Sequence, residues 1–125
     1  MSFAVAQYRV TKIETASPIK LVLELYDGAI RFMHQGATAI EARDHAAKGA
    51  ALGRAHAIVS ELQATLDASV AAELCEQLDG LYGFVLTRIS DANRNTDAKA
   101  LDGAVRVMQS LRGAWAEIAR AQDKP

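Results

Sequence analysis

Apolar residues recur at a 3.6-residue period along most of this chain, with polar residues filling the opposite faces. From Pro18 to Ala42, Leu21, Leu25, Gly28/Ala29 and Phe32 form one stripe, which Gly36, Ala37 and Ile40 continue. Val22, Tyr26, Ile30 and Met33 flank it. That apolar face is wider than a two-stranded coiled coil requires and predicts a helix packed against several others. Ser17-Pro18 marks its start, since serine accepts an orphan backbone N–H and proline at the first helical position loses nothing. Asp27-Gly28 would signal a turn between alternating strands, but the helical period runs straight through it.

Three more helices follow by the same reasoning. Asp44 caps a second over 45–67, with the stripe Ala51, Ala55, Ile58/Val59, Leu62 and Leu66. Asp67-Ala68-Ser69 interrupts the pattern. A third, over 70–93, carries Leu74, Leu78, Leu81/Tyr82, Val85 and Ile89. After the polar loop Asn93-Arg94-Asn95-Thr96, Thr96 or Asp97 caps a fourth over 98–121, with Leu101, Ala104/Val105, Met108, Leu111, Trp115 and Ile118. Helices of roughly 22–25 residues, about 33–38 Å long, joined by short links must run antiparallel to their neighbours. The expectation is an all-α, single-domain, up-down-up-down four-helix bundle over 17–122. Residues 1–16 form a short N-terminal arm bearing Phe3, Val5, Tyr8, Val10 and Ile13, either a loosely packed tail or a movable docking flap.

Composition narrows the class. The chain has 125 residues, enough for one core, and a net charge of −1 with no block of like charges, so neither nucleic acid nor an anionic membrane is indicated. A single cysteine, Cys75, excludes a disulfide framework, favours a reducing compartment and reads as a small core residue. The first residues lack the basic-then-apolar order of a signal peptide, and no apolar run reaches membrane-spanning length. These features together predict a cytoplasmic protein. All eight glycines fall inside the predicted helices, where each costs roughly 0.8–1 kcal/mol against alanine. Either some mark helix ends, or they permit close approach of another backbone. Gly49 and Gly53, with Ala46, Ala50 and Ala57, form a flat strip on the second helix, suited to a partner helix or to tight packing within the bundle.

Chemistry-bearing motifs are few. The Glu-x-x-His spacing of di-iron bundles is absent, and Glu24, Glu41, Glu61, Glu73 and Glu76 mostly lie off the apolar stripes, as a solvated face would. His34, His45 and His56 do not cluster, so no metal, cofactor or catalytic residue is expected. His45-Ala46-Ala47-Lys48-Gly49 is similar to the His-x-x-Lys-Gly signature of histidine phosphotransfer domains, which are also four-helix bundles. Phosphotransfer through His45 is therefore the alternative function.

A longer resemblance covers most of the chain. Tyr8, Ile13, Thr15 and Ser17-Pro18, then Leu21, Leu25-Tyr26-Asp27-Gly28-Ala29-Ile30 and Phe32, resemble the arm and first helix of the flagellar secretion chaperones (FliS). Leu78, Leu81-Tyr82, Phe84, Arg88 and Ala92-Asn93 resemble that family's third helix, and Leu111-Arg112, Ala114-Trp115 and Ile118 its closing segment. Two departures stand out: Ala71-Ala72 where Gly-Gly is common, and Gly83 where an acidic residue is usual. The resemblance implies a non-enzymatic cytoplasmic chaperone. It would bind the C-terminal segment of flagellin, prevent early polymerisation, and deliver the client to the export gate through an FlhA-like cytoplasmic domain. It also implies client or partner contacts at Tyr8, Ile13, Tyr26, Asp27, Tyr82, Phe84, Arg88 and Asn93, with Tyr26, Tyr82 and Phe84 as aromatic edges near the client surface.

Overall fold

A computed structural model describes residues 18–123. The arm, with Tyr8 and Ile13, and the Ser17 cap lie outside the described residues. Four helices follow in order: α1 (Pro18–Glu41), α2 (His45–Ala64), α3 (Ala72–Asn95) and α4 (Asp102–Asp123), the last preceded by a 3₁₀ turn (Ala98–Leu101). α1 packs on α2 and α4, and α3 on α2 and α4, which is the ring of neighbours of an antiparallel four-helix bundle.

Short side chains and local backbone bonds set the ends. α1 stops because Arg43 turns left-handed (φ 57°), the Asp44 N–H donates to the Ala39 carbonyl at 2.9 Å and the Arg43 N–H to Ile40 at 3.1 Å. That paired closure satisfies the last carbonyls. Asp44 then caps α2 by accepting the Ala47 N–H at 3.0 Å. α2 ends at Ala64, three residues short of the spacing-based end, because the Thr65 hydroxyl donates to the Leu62 carbonyl at 2.7 Å and Asp67 accepts the Ser69 N–H at 3.0 Å. Such bonds compete with helix continuation. α3 begins at Ala72 rather than residue 70, with Ala71 at a cap position where no side chain accepts a hydrogen bond.

One apolar cluster runs the length of the bundle. It joins Leu25, Tyr26, Ala29, Met33 and Ile40 of α1 to Leu52, Ala55, Ile58, Val59 and Leu62 of α2. Leu78, Tyr82, Val85, Ile89 and Ala92 of α3 and Leu101, Ala104 and Met108 close it. None of the glycines has a positive φ, so none closes a helix in the left-handed conformation, and Gly103 stands in the first turn of α4. Gly36 permits close approach, since a Cβ there would lie 2.3 Å from Leu52 Cδ2. Gly49 and Gly53 face open space, so their strip is not tight intrabundle packing. Glu61 departs from the solvated-face expectation: it is 1% exposed, on the packed side of α2.

Candidate functional site

The apolar stripes of α3 and α4 are longer than the core that covers them. Leu74 and Leu81 belong to the α3 stripe yet are 54% and 37% exposed, and Phe84, a turn further, is 44% exposed. Spaced by seven and three residues, they share one side of the helix. That side faces α4: a Cβ on Gly103 would meet the Phe84 ring at 3.3 Å, and Arg88 Nε donates to the Ala100 carbonyl at 3.1 Å. In this antiparallel register Ile118, 46% exposed, comes level with the start of α3. Leu111 and Trp115 are half-buried between these levels. A shallow cavity of about 410 Å³, lined by Ala71, Ala72, Glu73, Leu74 and Gln77, opens at the same end. The α3–α4 seam thus carries a line of exposed apolar side chains, called the groove below, the kind of surface that receives an amphipathic segment.

Behind the groove lies a polar pin. The hydroxyls of Tyr26 and Tyr82 are hydrogen-bonded to each other, and Trp115 Nε1 donates to the Tyr26 oxygen at 3.2 Å. Three helices meet there. Tyr26 is 0% and Tyr82 2% exposed, so neither ring is at the surface where the resemblance puts aromatic edges. Their long amphipathic side chains reach the core because the stripe positions point there and the hydroxyls find partners inside. Burial pushes the Tyr82 phenol well above its usual range, and its bond to Tyr26 adds to that. Burial raises Tyr26 too, against the opposing pull of its bonds to Tyr82 and Trp115.

The remaining expected site residues fall in three places. Asp27 is exposed on α1 and paired with Arg112 of α4, with Nε to Oδ1 at 2.8 Å. Arg88 is held between Ala100 and Asp91 (Nη1 to Oδ2, 3.1 Å) at the far end of the groove. Asn93 acts through its backbone: its carbonyl accepts from Lys48 Nζ at 2.9 Å, and Lys48 also reaches Thr96 Oγ1 at 3.1 Å. Phe84 and Arg88 therefore share the groove, while Asp27 and Asn93 stand apart from it. Sequence reasoning assigned Leu74, Leu81 and Ile118 to the core and so missed them as groove residues. Their spacing is that of core residues and carries no signal that α4 leaves them uncovered.

His45 begins α2 and is exposed, and Lys48 is occupied in closing the end of α3. The lysine that a phosphohistidine requires as counter-charge is engaged elsewhere, so the geometry does not favour phosphotransfer. Among the described residues no three His, Cys, Asp or Glu side chains come together to hold a metal ion, and no helix is long and apolar enough to cross a membrane.

The described residues thus form an all-helical four-helix bundle with exposed apolar side chains along one seam, the kind of surface helical binding proteins present. The family model "Flagellar protein FliS" matches residues 1–122, and the chain belongs to that family. It is 32% identical to the flagellar secretion chaperone FliS of Vibrio cholerae over 108 residues, 86% of this chain and 79% of the relative. The Bacillus subtilis chaperone FliS is 30% identical over 117 residues (94% and 86%), and FliSB of Pseudomonas aeruginosa 29% over 116 residues (90% and 92%).

Proposed function

We propose that this chain is a cytoplasmic, non-enzymatic export chaperone that binds the C-terminal segment of flagellin and prevents its premature polymerisation. Delivery of the client to the export gate, through an FlhA-like cytoplasmic domain, completes the role. The observation that carries this reading is the α3–α4 groove, apolar and open in a member of a family whose relatives are named flagellar secretion chaperones. A segment that self-associates through an apolar helical face is kept monomeric when that face lies on Leu74, Leu81, Phe84 and Ile118 instead of on another copy. Ordering the client costs conformational entropy, which leaves the complex reversible, as a delivery step requires. Tyr8 and Ile13 of the arm are assigned to partner contact, and Phe84 and Arg88 to the groove. Tyr26 and Tyr82 support the groove from behind, while Asp27 and Asn93 hold the helices that frame it.

Light scattering of seeded flagellin monomers tests the reading. An equimolar amount of this protein is expected to suppress polymerisation, and Leu81→Asp to abolish most of that suppression. Unchanged growth in the presence of the wild-type chain would contradict it.

A further inference from the structure

On the seam between α1 and α2, two guanidinium groups lie over one half-buried aromatic ring. Arg31 Cζ of α1 is 5.1 Å from the Phe32 centroid and Arg54 Cζ of α2 is 5.6 Å away. Both arginines are exposed, and the ion pairs among the described residues involve Arg88, Arg94, Arg112 and Arg120 instead. Two like charges from different helices thus share one ring. Attraction to the ring face uses their charge but none of their N–H donors. Alongside, an open cavity of about 500 Å³ is lined by Asp27, Ile30, Arg31, His34, Gln35 and Thr38.

The geometry points to Arg31, Phe32 and Arg54 as a second docking contact, made by a carboxylate-bearing segment of the client; it rests on the chaperone reading above. A carboxylate matches the guanidinium fork bidentately, and the Phe32 ring covers the aliphatic stem that carries it. A polyanion such as nucleic acid fits poorly. The pair is only two cations, and the chain carries a net charge of −1 with no block of like charges. A client with acidic residues outside its apolar face would meet the groove on one side of the bundle and this pair on another.

The test is titration of full-length protein with monomeric flagellin at low and high salt, comparing wild type with Arg31→Glu/Arg54→Glu and with Arg31→Gln/Arg54→Gln. Charge reversal is expected to weaken low-salt binding about tenfold or more. The glutamine pair should lose less and show a flatter salt dependence. Melting temperatures close to wild type in both variants would place the loss at the contact and not in the fold. If the wild type binds and both variants bind equally well with the same salt dependence, the inference is wrong while the chaperone reading stands. If the wild type itself does not bind flagellin, the chaperone reading fails, and this contact fails with it.

Discussion

At the scale of single residues, the glycines separate by what surrounds them. Gly36 is buried against Leu52, itself 1% exposed, and a methyl group there would drive into a side chain with nowhere to go. Gly36→Ala is therefore expected to destabilise the bundle by about 1–3 kcal/mol, as overpacking does. Gly53 is exposed mid-helix with nothing within 4 Å of a Cβ, so Gly53→Ala should stabilise it by up to about 1 kcal/mol. Urea unfolding of the two variants measures both signs, and an equal effect from both would contradict this packing. From sequence the two glycines look alike, since each lies in a helix with alanine nearby. Only the neighbouring helix distinguishes them.

At the scale of helices, the elements and most of their ends were legible in the sequence. The Asp44 cap, the Asp67–Ser69 break and the continuous period through Asp27-Gly28 each rest on local chemistry, and local chemistry is what a sequence carries. The groove was less legible. Leu74, Leu81 and Ile118 have core spacing, and only the lateral arrangement of α3 against α4 leaves them uncovered. The Tyr26–Tyr82–Trp115 pin was equally hidden, because its members stand 56 and 89 residues apart in pairs. That pin has a pH signature. Burial holds both phenols above the ordinary tyrosine value of about 10. The unfolded chain therefore loses these protons first as pH rises, and stability that is fully present below pH ~10 declines above it. Tyr82→Phe should cost about 0.5–1.5 kcal/mol at neutral pH and flatten the fall in melting temperature above pH ~10. A wild-type melting temperature unaffected by alkali in that range would contradict the buried, hydrogen-bonded arrangement.

At the scale of the whole molecule, a bundle whose core is closed along most of its length leaves, among the described residues, its large apolar side chains uncovered at Val70, Leu74, Leu81, Phe84 and Ile118. Four of these five lie on one seam, and relatives of the chain are named flagellar secretion chaperones. In the role proposed above, the groove would take the apolar face of a client, the pin would fix the helices that form it, and the arginine pair would select for charge. The central claim is that the C-terminal segment of flagellin is what the groove holds. Isothermal titration of this protein with purified monomeric flagellin, intact and lacking that segment, tests it directly. The account predicts binding near one to one with the intact monomer and none with the truncated form. Equal binding of both forms, or no heat with either, would contradict it.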